Sequence, residues 1–103
     1  MEKIDYIPLG SVVLLEGGIQ KLLVISRGLI INNNGKEVFF DYGGVLYPDG
    51  LTGDRMAYFN HENIARVIFK GYDDESSQIF AQNINNYLAA HPDTVKGIPA
   101  TKA

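Results

Sequence analysis

Two neighbouring residues, His61 and Glu62, have side chains that could take part in acid–base chemistry. A histidine beside a carboxylate can transfer protons. Adjacent side chains on a tight turn point apart, however, and no Ser or Cys lies nearby in the sequence to serve as a nucleophile. The second histidine, His91, falls at the end of a predicted helix, where a cation is favoured. We therefore interpret both histidines as structural and expect no catalytic residues.

Three aspartates, Asp41, Asp49 and Asp54, could supply carboxylates to a metal ion. A calcium loop needs oxygen ligands at alternate positions, and the segment 49–54 reads DGLTGD, with Gly and Leu where ligands are required. Turn formation explains Asp49 better. The chain has no cysteine, so it has no thiolate site either. The sequence therefore predicts no metal site.

Glycine-rich segments such as Gly43-Gly44 could let a phosphate approach the backbone. Neither the P-loop nor the dinucleotide fingerprint occurs in the chain, and Gly43-Gly44 interrupts an apolar strand. Nucleic-acid binding depends on Lys and Arg that neutralise phosphates, whereas this chain has a formal net charge of −3. We expect no cofactor and no nucleic-acid partner.

Five short β-strands must position these residues. They are the apolar runs at 9–15, 20–31, 37–47, 56–59 and 64–70. Gly17-Gly18 and Asn34-Gly35 separate the first three runs, and both pairs accept the positive φ of tight hairpin turns. Residues 60–63 predict a single helical turn before the last strand.

The third strand lies in the segment VFFDYGGVLYPDG, residues 38–50. Its Gly, Pro and Asp residues predict bends and turns, and the aromatic residues between them predict a core. We expect Phe39 or Phe40, which lie on opposite faces of the strand, in that core. The other predicted core residues are Val12, Val24, Val45, Val67 and Phe69.

One amphipathic helix follows the strands. Asp73 and Asp74 can cap its start, and its apolar stripe has the helical spacing i, i+4, i+7, i+8 and i+11. The stripe consists of Phe80, Ile84, Tyr87, Leu88 and His91. Pro92 ends the helix, because the residue before a proline disfavours the α region.

These elements predict a mainly β fold, a small SH3-like antiparallel barrel of about five strands with one C-terminal amphipathic helix. A long bent hairpin at 20–47 and the helical turn at 60–63 are typical of that barrel. At 103 residues the chain is one domain. We assign residues 1–91 to it, and residues 92–103, which lack periodicity, to a flexible tail.

The N-terminal sequence MEKIDYIPLG has acidic residues and a proline where a signal peptide needs a basic segment and an apolar run. The longest apolar stretch, residues 12–15, is far shorter than the roughly 20 residues of a membrane span. The absence of cysteine fits a reducing compartment. We expect a cytoplasmic protein that does not insert into membranes.

Six tyrosines in so small a chain favour a binding surface, because tyrosine offers apolar area with a polar tip. A small barrel cannot bury all of them. Tyr47, Tyr58 and Tyr72 lie near the ends of predicted elements, where a ring can escape the core. They are the predicted partner-binding residues.

Three motifs carry a family resemblance: P-x-G-S-V-V-L-L at 8–15, F-D-Y-x-G-V-L-Y-P-x-G at 40–50, and F-N-H-E-x-I-x-x-V-I-F-x-G-Y at 59–72. They resemble a small domain-of-unknown-function family of Gram-positive bacteria. Its members are short cytosolic proteins, often encoded beside LXG-type toxins of the type VII secretion system. The resemblance covers residues 6–88 and implies no catalytic or ligand-binding residues.

The resemblance implies an accessory protein of toxin export. We expect a non-enzymatic interaction module, acting as an adaptor, chaperone or targeting factor for a helical LXG-type toxin or its accessory proteins. An immunity protein that blocks a toxin's active site is the alternative, since the acidic balance would suit a basic nuclease. A small-ligand-binding barrel or an enzyme is a third possibility. The oligomeric state is left open.

Overall fold

The computed structural model describes residues 2–99 of the chain. Along this part of the chain the elements are β1 (Val12–Leu15), β2 (Leu22–Asn33), β3 (Lys36–Leu46), β4 (Ala57–Phe59), a 3-10 turn (His61–Asn63), β5 (Ile64–Phe69) and helix α1 (Glu75–Ala90). The predicted order of five strands, one helical turn and one helix is confirmed.

The strands form one antiparallel sheet in the order β4-β3-β2-β1-β5. The predicted mainly β class with one C-terminal helix is therefore confirmed. The sheet is open rather than closed into a barrel, because within residues 2–99 no ladder joins its edge strands β4 and β5. Strand β4 has only three residues, all of them paired with β3. The N-terminal segment and α1 cover the core instead, through Tyr6, Ile84 and Leu88.

Strands β2 and β3 form the long bent hairpin that the sequence predicts. Its turn has Asn34 at φ 55° and Gly35 at φ 82°, the two positive values of a type I′ turn. A register shift between Val24 and Ser26 marks a bulge. Gly28 adopts φ 67°, and the Ile84 side chain fills the space that a Cβ would need there. The bend and this glycine let α1 lie directly against the hairpin.

A single apolar core lies between the sheet, the N-terminal segment and α1. Its buried members are Tyr6, Val13, Leu15, Leu22, Val24, Phe39, Tyr42, Phe59, Ile84 and Leu88. Of the predicted core residues, Phe39, Phe40, Val12, Val24 and Val45 are buried. The predictions for Val12, Val24 and Val45 are confirmed, and the burial extends to both phenylalanines where the sequence predicts one.

Two core predictions, Val67 and Phe69 on β5, are wrong. Val67 is 43% exposed and Phe69 is 61% exposed. Strand β5 lies at the edge of the sheet, and its ladder with β1 has two register shifts that break the in-and-out alternation. Helix α1 packs over β2, where the Arg27 guanidinium donates hydrogen bonds to the carbonyl and the hydroxyl of Ser77. In this position α1 does not cover β5.

Helix α1 begins and ends with the predicted residue types. The Asp74 carboxylate accepts a hydrogen bond from the Ser77 N–H at 3.0 Å, and the acidic Glu75 lies in the positively polarised first turn. His91 follows the last turn and stacks on the Tyr87 ring, with 4.0 Å between ring centroids. This helix is not long and apolar enough to cross a membrane, nor is any other helix of the described residues.

The segment predicted as a flexible tail pairs with the edge of β3 at residues 95–97. The Phe39 N–H donates to the Val95 carbonyl at 2.9 Å, and the Gly97 N–H donates to the Phe39 carbonyl at 2.8 Å. Gly97 lies on the Phe40 ring, which would collide with any added Cβ. Residues 100–103 of that segment lie outside the described residues, and the domain limits stay a prediction.

Replacement of Phe39 by Ala tests the core. Truncating a buried Phe costs about 3–5 kcal/mol, most of a small domain's stability. We expect the free energy of unfolding of Phe39→Ala, measured by urea denaturation, to fall by an amount in that range. Phe69→Ala is the matched control, and its loss should stay below about 1 kcal/mol because the ring is largely exposed. Equal losses in the two variants would contradict the assignment of the core.

Candidate functional site

The most conspicuous polar residue of the molecule is Asp41, in the middle of β3. It is fully buried, with 0% exposure. Its Oδ1 accepts a hydrogen bond from the Tyr6 hydroxyl at 2.7 Å. Its Oδ2 accepts from the His61 backbone N–H at 2.9 Å and from Lys96 Nζ at 3.0 Å. A buried carboxylate needs such partners, and here three separate segments supply them.

Tyr42, the next residue of β3, extends this cluster to the histidine ring. The Tyr42 hydroxyl lies 2.7 Å from His61 Nδ1 and accepts a hydrogen bond from the Ile7 N–H at 3.0 Å. Because that N–H already donates to the hydroxyl, the hydroxyl proton is free to donate to Nδ1. The contacts therefore favour the His61 tautomer that carries its proton on Nε2.

Asn60 joins the same cluster to the C-terminal segment. Its Oδ1 accepts a hydrogen bond from the Asp41 N–H at 3.0 Å, and its Nδ2 donates to the Gly97 carbonyl at 2.8 Å. Its backbone N–H donates to Asn63 Oδ1 at 2.8 Å within the 3-10 turn. One amide side chain thus holds β3, the turn and the segment after α1 together.

Both tyrosines of the cluster keep their protons. Burial, followed by the hydrogen bond to Asp41, raises the pKa of Tyr6 well above its usual value of 10.0. Burial also raises the pKa of Tyr42. Removing a phenolic proton would place a second negative charge beside the Asp41 carboxylate in a poorly solvated site. At physiological pH both residues therefore act as neutral hydrogen-bonding groups.

An open cleft of about 570 Å³ lies over Asp41, His61 and Lys96. Both oxygens of Asp41 are occupied by donors, and the cleft-lining residues include no Ser, Thr or Cys that could act as a nucleophile. Tyr6 and Tyr42, whose pKa values are raised, do not line it. Within residues 2–99, no group of three or more His, Asp or Glu side chains could hold a metal ion. The hydrogen bonds to Asp41 join the N-terminal segment, the 3-10 turn and the segment after α1 to β3, and we call this cluster the clamp.

The structure does not bring the predicted binding tyrosines together. Tyr72 follows β5 and is 81% exposed. Tyr58 lies on β4, at the opposite edge of the sheet, half-buried with its ring 5.6 Å from that of Phe40. Tyr47 is exposed at the end of β3, and Lys21 Nζ lies 5.4 Å from its ring centroid. Three tyrosines at separate places cannot form one compact patch.

Tyr72 instead belongs to an exposed apolar surface along β5. Its neighbour Gly71 packs against the Leu9 carbonyl so closely that an added Cβ would collide with it. We call this region the β5 edge surface, and its large exposed apolar residues are Leu9, Val67, Ile68, Phe69 and Tyr72. Every residue from Ala65 to Phe69 is exposed. The position of these residues at the sheet edge makes them accessible to a partner.

Sequence reasoning missed the cluster around Asp41. The available signal was an aspartate between Phe40 and Tyr42 in an otherwise apolar strand, since a charge on a buried strand requires partners. The sequence does not indicate which residues those partners are, because Tyr6 and Lys96 lie 35 and 55 residues from Asp41 along the chain.

Comparison with known families matches residues 6–80 to the family described as Domain of unknown function (DUF4176). No curated protein and no solved structure matches the chain. The matched range contains all five strands, Tyr6 and Asp41. It ends before Lys96, so the cation that neutralises Asp41 lies outside it.

The ion pair between Asp41 and Lys96 should matter for stability. Removing one member of a buried pair leaves an uncompensated charge, at a cost of about 3–5 kcal/mol. Because hydrogen bonds from Tyr6 and His61 remain, we expect Lys96→Met to lose about 2–4 kcal/mol in urea unfolding. Lys70→Met is the control, since Lys70 is exposed and 3.8 Å from Asp73, and surface pairs contribute at most about 1 kcal/mol. Equal small losses in the two variants would show that the Asp41–Lys96 ion pair does not stabilise the folded protein.

Alkaline pH should destabilise the protein through Tyr6 and Tyr42. Above the usual tyrosine pKa of 10.0 the unfolded chain loses these protons while the folded chain keeps them. The unfolded state then binds fewer protons, so stability falls as pH rises past that value. We expect the fall to be shallower in Tyr6→Phe, because one of the two raised groups is gone. Urea unfolding between neutral and strongly alkaline pH measures the slope, and an unchanged slope would contradict this origin.

Proposed function

Since the chain belongs to the DUF4176 family, whose description gives no function, we propose from its surface that the protein is an interaction module that holds another protein. The observation that carries this proposal is the β5 edge surface. Large apolar side chains remain in water on both faces of this strand, Val67 and Phe69 on one and Ile68 on the other, and exposed apolar surface is a mark of interaction sites.

The composition of the β5 edge surface supports a protein partner. Phe69 and Tyr72 are its most exposed aromatic residues, and aromatic residues are the usual anchors of protein interfaces. Arg66 on β5 and Lys70, the residue after β5, are both exposed and supply charged groups beside these apolar residues. An apolar centre with a polar rim is the ordinary anatomy of an interface.

The choice of partner rests on the family resemblance of the three sequence motifs. A family encoded beside LXG-type toxins points to a helical LXG-type toxin or its accessory proteins. On this proposal the protein is an adaptor, chaperone or targeting factor of type VII secretion, and it works in the cytoplasm of a Gram-positive bacterium. The saturated hydrogen bonds of Asp41 support a binding role over a catalytic one.

An immunity protein is the second candidate, and the cleft over Asp41 favours it. Beyond the Asp41–Lys96 pair, that cleft is lined by three carboxylates, from Glu2, Asp5 and Glu62, against one lysine, Lys3. An acidic mouth of this kind would attract the basic surface of a nuclease toxin. Co-expression with the toxin domain separates the candidates, because an immunity protein rescues growth and an adaptor does not.

Binding of the tagged protein to the products of its neighbouring genes tests the proposal. We expect Phe69→Ala and Tyr72→Ala each to weaken binding of the LXG protein by about 2 kcal/mol, roughly 30-fold. Tyr47→Ala and Tyr58→Ala should have smaller effects, because those residues lie away from β5. Calorimetry measures affinity, and circular dichroism confirms folding.

Ile19→Ala is the matched control, because Ile19 is exposed in the loop between β1 and β2. Normal binding by both β5 variants would remove this surface from consideration. If the wild-type protein bound no product of its own locus, the adaptor proposal itself would fail.

A further inference from the structure

A second apolar surface lies away from β5, between α1 and the β2–β3 hairpin. We call it the α1 groove; its apolar lining consists of Gly28, Ile30, Phe39, Phe80, Ile84 and Tyr87. Phe39 and Ile84 are buried and form its floor. Its walls are accessible, since Ile30 is 51% exposed and Phe80 is 50% exposed. Gly28 has no side chain, so Ile84 packs directly against the β2 backbone at the floor of the groove.

The α1 groove continues into an acidic depression past Tyr87. The two share Ile30, Phe39 and Tyr87, and the second also contains two carboxylates, from Glu37 and Asp93, and one imidazole, from His91, which stacks on Tyr87. Neither carboxylate has a Lys or Arg within ion-pair distance among residues 2–99. The combined surface is thus apolar along α1 and negatively charged at the end where α1 finishes.

We propose that the α1 groove binds an amphipathic helix whose apolar side chains lie along α1 and whose basic residue reaches Glu37 and Asp93. The apolar depression has a volume of about 220 Å³, below the roughly 300–1,000 Å³ of typical small-molecule pockets. It therefore suits a row of side chains better than a drug-sized ligand.

The backbone chemistry of the groove selects a helix over an extended segment. One wall is α1, whose backbone groups bond within the helix, and the other is a sheet face, which presents side chains. An extended segment lying there would leave its own N–H and C=O groups unpaired, at a cost. A helix pairs those groups internally and presents anchors at i, i+4 and i+7.

Length and charge set the orientation of the bound helix. Phe80 and Tyr87 are two helical turns apart, about 10 Å at 1.5 Å per residue, which matches the span from i to i+7. A helix antiparallel to α1 places its positively polarised N-terminus beside Glu37 and Asp93. A Lys in its first turn adds a second attraction to the same carboxylates.

This site lies apart from the β5 edge surface, so the inference goes beyond the proposed function. Failure of the LXG protein to bind would leave the groove and its test unaffected. Conversely, an LXG protein held by β5 alone would bind equally well when the groove is altered. The two results are therefore distinguishable.

The test uses the full chain and a fluorescent synthetic peptide of about 18 residues, long enough to form a helix. It is Ala-rich, with Leu at i, i+4 and i+7 and Lys in the first turn. By fluorescence anisotropy we expect it to bind, and a scrambled peptide of the same composition to bind at least 10-fold more weakly. Tyr87→Ala and Ile30→Ser should each weaken binding at least 10-fold.

Ile79→Ala and Phe69→Ala are the controls. Ile79 is exposed on α1 without lining the groove, and Phe69 lies on β5. Both variants should bind the peptide normally. The charge requirement has its own measurement: the Lys peptide should bind several-fold tighter than a Gln peptide at low salt, and this difference should vanish when Glu37→Gln and Asp93→Asn are combined.

Four outcomes would overturn the proposal. They are no saturable binding of the helical peptide, equal binding of the scrambled peptide, equal losses in Ile79→Ala and Tyr87→Ala, and no effect of the two carboxylate changes. A dimer that dissociates in Tyr87→Ala would assign the groove to a second copy of the chain. A fatty acid that binds there while the peptide does not would assign it to a lipid chain.

Discussion

The fold depends on one buried carboxylate. Asp41 lies in a strand that the core surrounds, and burying its charge is unfavourable unless donors surround it. Those donors come from Tyr6 before the first strand, from the 3-10 turn at His61 and from Lys96 beyond the helix. Satisfying one charge therefore fixes the paths of three segments that are distant in sequence, and it draws both described ends of the chain to β3.

The clamp also explains what the molecule leaves exposed. The N-terminal segment and α1 cover the core from the side of β2 and β3, and within residues 2–99 they leave Ala65 to Phe69 of β5 exposed. Strand β4 is short, and the segment 95–97 follows the β3 edge at Phe39, so that edge is partly protected from unwanted pairing. Exposed apolar side chains lie on β5 and along the α1 groove, and these are the two surfaces that we propose as binding sites.

Most of the fold was predictable because its signals are local. Asn34-Gly35 predicts its type I′ turn from the φ angles that only such residues readily adopt. The presence of Asp74 indicates the start of α1, because an aspartate carboxylate can accept a hydrogen bond from a backbone N–H of the first helical turn, here that of Ser77. The two wrong core residues, Val67 and Phe69, have the alternation of a half-buried strand, yet bulges in the β1–β5 ladder and the position of α1 decide their exposure.

The sequence by itself determined the strands, the turns, the helix and most of the core, since periodicity and turn residues act over a few neighbouring positions. Only the tertiary structure decided that the sheet stays open, that β5 is bare and that Tyr6, His61 and Lys96 meet at Asp41. It likewise separated Tyr47, Tyr58 and Tyr72, which the sequence treats alike. These outcomes depend on which distant segments reach the same carboxylate and which face α1 covers, and contacts between residues tens of positions apart leave no local pattern in the chain.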